Sequence, residues 1–232
     1  MNTKMSTEDL SFLQLADSFF PTGLYSTSNG LEALYYTKKV NPKGIEELVK
    51  LFLRQQVGPS DCNALGNAFE YIGQTNLRGL VHVDQTVYAI KTIAEVRAAS
   101  IRSGQQLLKC VNSFTNKKKT LQSYLKEIHA GNASGIYPVS LAVSAWSLDI
   151  PKYKAGMMLL YGFAISMIGA AIRLGVIQHI EAQKIIHNLK PYILNSLREN
   201  IDKPLSYIWQ FAPGLDILQM KHEQMVSKMF IT

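Results

Sequence analysis

Eighteen consecutive residues without a charge, Ala155 to Ile172 (AGMMLLYGFAISMIGAAI), stand between Lys154 and Arg173. A helix that is apolar on every side must be covered on every side. Two coverings fit. One is lipid, because the segment reaches the lower limit of a membrane span, about 17–25 residues. Gly156, Gly162 and Gly169 are also small residues of the kind through which membrane helices pack. The other is protein, with the segment as the central helix of a soluble bundle. The rest of the chain favours the second. It holds no other such segment and no aromatic belt, and 47% hydrophobic against 18% charged residues over 232 positions gives it ample core of its own. The expectation is a buried central helix whose glycines let neighbouring helices approach; a membrane-associated helical protein is the alternative.

Helical spacing recurs around that segment. Ile45, Leu48, Val49, Phe52 and Leu53 form one apolar stripe. Pro42 and Gly44 open that helix, and Gly58-Pro59 is expected to end it. Asp61 is then the expected N-cap of a helix that turns Leu65, Ala68, Phe69 and Ile72 inward. From Asp84 to about Val111 the pattern predicts one long helix, with Gly104 a weak point costing about 1 kcal/mol against Ala. Leu121, Tyr124, Leu125 and Ile128 mark a shorter helix. The small-residue turn Ala130–Val139 leads into another, which Asp149-Ile150-Pro151 ends. No stretch alternates as a strand would, no repeat has a fixed period, and no linker divides the chain. The prediction is an all-α, single-domain bundle of about ten helices spanning 1–232, with a polar C-terminal tail at about 213–232.

Composition narrows the function classes. Lys+Arg 24 against Asp+Glu 17 gives a net charge of +7, which invites a nucleic-acid reading. That reading needs the charge gathered on one face, and the densest run, Lys117-Lys118-Lys119, follows polar residues as a solvated loop does. A basic nucleic-acid-binding module stays an alternative. Cys62 and Cys110 form neither a disulfide framework nor a C-x-x-C pair, and the N-terminal MNTKMSTEDLSF lacks an apolar signal core, so a cytoplasmic location is expected. None of His82, His129, His179, His187 and His222 is spaced to share a metal, and no phosphate loop or nucleophile motif occurs. On chemistry alone the chain is not an enzyme, and no cofactor is implied.

The segment DSFFPTGLYSTSNGLE, Asp17 to Glu32, reads as a shaped turn. Pro21 stops the first helix, Gly23 permits positive φ, hydroxyl side chains cap the next helix, and Glu32 suits its N-terminal dipole. It is either a capped helix–turn–helix or a contact surface anchored by Tyr25.

The residues of this turn resemble the opening of the UreF family of urease accessory proteins: Leu15, Asp17, Phe20-Pro21-Thr22-Gly23, Tyr25, Ser28 and Gly30-Leu31-Glu32. The resemblance continues in order through Glu95-Val96-Arg97, Ser100 and Gly104-Gln105-Gln106-Leu107-Leu108. It runs on through Gly135 and Tyr137-Pro138-Val139, with Ile136 where many members carry histidine. Ala170 to Gly175, Glu181-Ala182-Gln183, Pro213-Gly214-Leu215-Asp216, Met220, His222-Glu223 and Phe230 complete it.

The resemblance implies an all-α, non-catalytic protein that binds the accessory protein UreD (UreH in some bacteria) and recruits the GTPase UreG to apo-urease. There a lysine is carbamylated and two nickel ions are inserted. It also implies a homodimer, with contacts made by the turn and the tail. Carried onto this sequence, the partner-binding residues are Tyr25, Ser28, Gly30, Glu32, Arg173, Asp216, His222, Glu223 and Phe230. The tail is expected to be mobile alone and ordered by a partner. Arg173 is either a helix-end capping charge or a partner-facing cation, and nickel contact through His222 or a dimer interface stays open.

Overall fold

Helix is the only extended regular structure among the described residues, which are 6–37, 40–115 and 118–232 of this computed structural model. In chain order the elements are α1 (Thr7–Ala16), α2 (Leu31–Thr37), α3 (Pro42–Phe52), α4 (Asn63–Gly73), α5 (Leu77–Ile90) and α6 (Ala94–Phe114). They continue with α7 (Lys119–His129), α8 (Tyr137–Ser147), α9 (Lys152–Arg173), α10 (His179–Asn200) and α11 (Pro213–Glu223). Leu53–Cys62 is π-helical, and Leu24–Ser26 and Leu205–Tyr207 are 3-10 turns. The fold is the all-α bundle that the periodicity predicts. Of the lysine run, Lys117 lies outside the described residues, Lys118 pairs with Asp149 at 3.2 Å, and Lys119 opens α7.

The uncharged helix is packed against protein, yet it is not the most enclosed element. Nine of the 11 residues of α8 are buried, against eleven of the 22 in α9. The helices α4, α6, α7 and α9 all contact α8, which is why even its serines face inward. Only one of the three glycines in α9 does the work expected of it. A Cβ on Gly156 would lie 2.5 Å from Leu197 Cδ1, so α10 crosses there, whereas Gly162 and Gly169 face open space.

Two expected helix boundaries move. The chain does not break at Gly58-Pro59, and α3 runs through the π-helical segment into α4. Proline removes one donor and its ring crowds an α-helical turn; a wider π turn accommodates it and leaves carbonyls free. Other segments take up those carbonyls. Ser196 Oγ donates to Leu53 O (3.0 Å), and the amides of Phe211 and Trp209 donate to Gln55 O and Pro59 O (3.3 Å each). Asp61 is therefore no N-cap; its carboxylate lies 2.8 Å from Lys91 Nζ.

That ion pair accounts for the second change. The expected helix from Asp84 to Val111 is two helices, α5 and α6, broken at Lys91–Ile93. Lys91 leaves helical geometry (φ −77, ψ 83) while its ammonium reaches Asp61. Arg97 Nη1 donates to the freed Lys91 carbonyl (2.9 Å) and Ile93 turns into the core. Gly104 is no weak point. A Cβ there would stand 2.1 Å from Gly135 O, so glycine lets α6 touch the turn before α8.

That turn is held by Asp84, which is fully buried on α5. Its Oδ1 accepts from Ser134 N (2.6 Å) and Ser134 Oγ (2.7 Å). Its Oδ2 accepts from Tyr124 OH (2.6 Å), Gly135 N (3.1 Å) and Ile136 N (3.0 Å). One carboxylate thus fastens α5, α7 and the start of α8. Burial beside Asp84 pushes the Tyr124 phenol well above its ordinary pKa, so it stays protonated and donates to that carboxylate. Ile136, which opens α8, is wholly buried, and the turn is a structural hub.

Candidate functional site

The N-terminal turn and the C-terminal segment are far apart in sequence and meet in one seam. The turn forms much as expected. Asp17 ends α1 and its carboxylate accepts from Phe19 N (2.9 Å), while Gly23 takes φ +80. The helix therefore stops four residues before Pro21, closed by an Asx turn rather than by proline. The turn is pinned to α9 from below: Ser166 Oγ donates to Leu24 O (2.7 Å) and shares a 2.9 Å hydrogen bond with Thr27 Oγ1.

The C-terminal segment lies across this turn. Gly30 is needed twice over, for φ +86 and because a Cβ would come within 3.0 Å of the Gln219 amide nitrogen in α11. Past α11 the chain pairs with the turn as a short strand would. Ile231 N donates to Ser26 O (2.8 Å), and Ser28 N donates to the main-chain oxygen of Thr232 (2.6 Å). The tail expected to be mobile is thus seated on the bundle, with Phe230 and Thr232 buried.

Glu32 holds the seam together. Only 1% exposed, its carboxylate accepts from Met229 N (2.8 Å), Phe230 N (3.1 Å) and His222 Nε2 (3.0 Å). The other ring nitrogen of His222 lies 2.7 Å from Glu95 on α6. Lys228 closes the network by donating to Glu95 Oε1 (2.7 Å) and to Glu223 O (3.0 Å). A buried carboxylate is tolerated only where its lone pairs are taken up, and two of the three donors here belong to the tail backbone. The macrodipole role expected for Glu32 is secondary to this one.

Arg173 fills the helix-end role expected of it and also reaches the seam. Its Nε donates to Gly169 O (3.2 Å) inside α9, as a helix-end cation does. Its plane also lies 3.9 Å from the Tyr25 ring and 4.3 Å from the Phe230 ring, and it donates to Tyr25 O. One guanidinium therefore clamps turn, tail and central helix. Asp216 sits apart, accepting from Gln56 Nε2 on the π-helical segment (2.8 Å); burial raises its pKa above the usual carboxylate value.

Of the nine residues singled out from sequence, Ser28, Gly30, Glu32, His222 and Phe230 are buried, and Arg173 and Asp216 half-buried. Within the chain the buried five are engaged in holding the seam. Tyr25 and Glu223 are exposed. Sequence reasoning did not assign Glu95 and Lys228 to the site, although Glu95 stands in the Glu95-Val96-Arg97 motif; their pairing is visible only in three dimensions. Glu32 and Glu95 occupy opposite nitrogens of His222, and no cluster of three metal-ligating side chains converges among the described residues. Turn and tail expose several large apolar side chains: Phe19 is 92% and Tyr25 62% exposed, and Val226, Met229 and Ile231 are exposed too.

The chain matches the family model UreF over residues 39–190. It is 32% identical over 225 residues to the urease accessory protein UreF of Trichodesmium erythraeum (strain IMS101), covering 97% of each chain. The chain belongs to the UreF family of urease accessory proteins. The UreF of Bacillus sp. (strain TB-90) is 26% identical over 96% of this chain and 98% of its own. Urease accessory protein UreF 1 of Brucella melitensis biotype 1 is 29% identical over 96% and 92%. The family is one of accessory proteins rather than enzymes. Most of the seam, the turn before residue 39 and the tail after residue 190, lies outside the UreF model match but inside the full-length similarity to these UreF relatives.

Proposed function

We propose that this chain works in urease maturation by binding, as a cytoplasmic, single-domain scaffold that joins UreD (UreH) and recruits UreG to apo-urease for assembly of the dinickel centre. The observation that carries this reading is the seam, which fuses turn and tail into one rigid surface fringed by exposed apolar side chains. Exposed apolar patches on a chain with core enough of its own mark contact sites. In this reading Tyr25 anchors the contact and Glu223 and Asp216 lie at its rim. Ser28, Gly30, Glu32, Arg173, His222 and Phe230 give the surface its shape. A second copy of the chain forms a homodimer with it.

The test is co-purification of the tagged full chain with UreD (UreH) and UreG, sized by light scattering. Wild type should give a stoichiometric complex, and Tyr25→Ala should weaken it while leaving the fold intact by circular dichroism. No complex among three folded proteins would refute the scaffold reading. Partition into a detergent phase, or salt-sensitive binding to nucleic acid, would support the two alternatives instead.

A further inference from the structure

Behind the seam lies a small cavity of about 90 Å³ bounded by the turn, the C-terminal segment, α6, α9 and the π-helical segment. Its walls are unlike on two sides. Phe52, Val57, Leu159 and Phe163 make one side apolar, while Gln219, Thr232, Asp61 and Lys91 make the other polar. The polar side carries two buried atoms without hydrogen-bond partners, Gln219 Oε1 and Thr232 Oγ1. Gln219 is 3% and Thr232 2% exposed, so neither reaches bulk solvent. Both carboxylate oxygens of Asp61 meet Lys91 Nζ, at 2.8 and 3.0 Å, and form the charged edge of the space.

A buried polar group left without a partner is costly, and native chains rarely keep one. Two such atoms facing a single space large enough for solvent, beside an ion pair, are not two independent defects. At about 30 Å³ of liquid volume per molecule the cavity has room for about three waters, and a stable site needs two to four polar partners. We propose that this cavity is a built hydration site, whose ordered waters bridge Gln219 and Thr232 of the C-terminal segment to the Asp61–Lys91 ion pair. Water then completes what the direct bonds of Glu32 begin. It fastens the far side of the tail to the one ion pair that also sets the break between α5 and α6. The site takes water rather than a cation, because a single carboxylate lines it and Lys91 already neutralises that group.

The sign of a mutational effect tests the idea. Gln219→Met keeps length and volume but removes the acceptor, and Thr232→Val does the same for the hydroxyl. If waters satisfy these atoms, each change strands a water and should raise the unfolding equilibrium constant about fivefold, the worth of one net hydrogen bond. If the cavity is dry, Gln219→Met relieves an unsatisfied oxygen and the urea midpoint should rise, which overturns the proposal. Oxygen-17 relaxation dispersion on the full chain gives a second readout. Wild type should hold more long-lived waters than either variant, and equal counts would sink the proposal. Electron density for a molecule other than water at this position would do so too.

Discussion

Glu32→Gln is the sharpest probe of the seam. The carboxylate accepts three hydrogen bonds at 2.8, 3.0 and 3.1 Å with almost no access to solvent. An amide offers one acceptor oxygen. In its better orientation the NH2 faces Met229 N, losing that bond, while the oxygen keeps Phe230 N and His222. A hydrogen bond to a charged group is worth about 1.5–3 kcal/mol and a neutral one about 0.5–1.5. The loss is then about 2 kcal/mol for Met229 and about 1 for each retained bond, or about 3–4 kcal/mol once non-additivity is allowed for. It falls on the tail, which can open without unfolding the bundle. Native-state hydrogen exchange at Met229 and Phe230 should accelerate about 100- to 1000-fold, since each 1.36 kcal/mol is a factor of ten. Amides of α8 should keep their protection. Glu223→Gln, which removes an exposed carboxylate, is the control and should change little. If tail protection in Glu32→Gln stays within a few-fold of wild type, the seam is not held by this carboxylate.

Other outcomes follow from the same geometry. Asp84→Asn must turn its NH2 toward at least one of Ser134 N, Gly135 N and Ile136 N. It should destabilise the whole bundle by about 3 kcal/mol, lowering Tm by about 6–12 °C at about 2–4 °C per kcal/mol; a Tm within a degree or two of wild type by calorimetry would contradict the hub. Cys62 is buried, and burial with Asp61 nearby pushes its thiol up to about 12. Native protein treated with iodoacetamide at pH 8 should therefore be spared at Cys62 and modified only at Cys110, as mass spectrometry of the digest can show. Burial also raises the Asp216 carboxyl above its ordinary value of 3.8, offset in part by hydrogen bonds from Gln56 and Gln210. An acid with a raised folded pKa costs stability in its charged form, a cost absent at low pH and growing as pH rises through 3.8. Asp216→Asn should thus gain on wild type in urea unfolding near neutrality and show no gain near pH 3.

The helix faces were legible because they depend on local spacing alone. Ile45, Leu48, Val49, Phe52, Leu65, Ala68 and Tyr124 are buried where the periodicity puts them. The missed boundaries have long-range causes. Pro59 does not end its helix because Ser196 and the irregular segment Trp209–Phe211 take up carbonyls along it. The break at Lys91 needs Asp61, thirty positions earlier. Gly104 is a liability by propensity and a necessity once Gly135 is placed beside it.

The same division runs through the site. Tyr25, Glu32, Arg173 and His222 could be picked out as residues in order along the chain, and that order sufficed to suggest the family. Sequence could not show that Glu32 accepts from the backbone of a tail two hundred positions away, or that Glu95 and Lys228 complete the network around His222. The chain's periodicity dictates which residues seek the interior, since burial of apolar surface needs no particular partner. Hydrogen bonds and ion pairs are directional and short-ranged. Which buried charge meets which donor was therefore settled only when the helices packed.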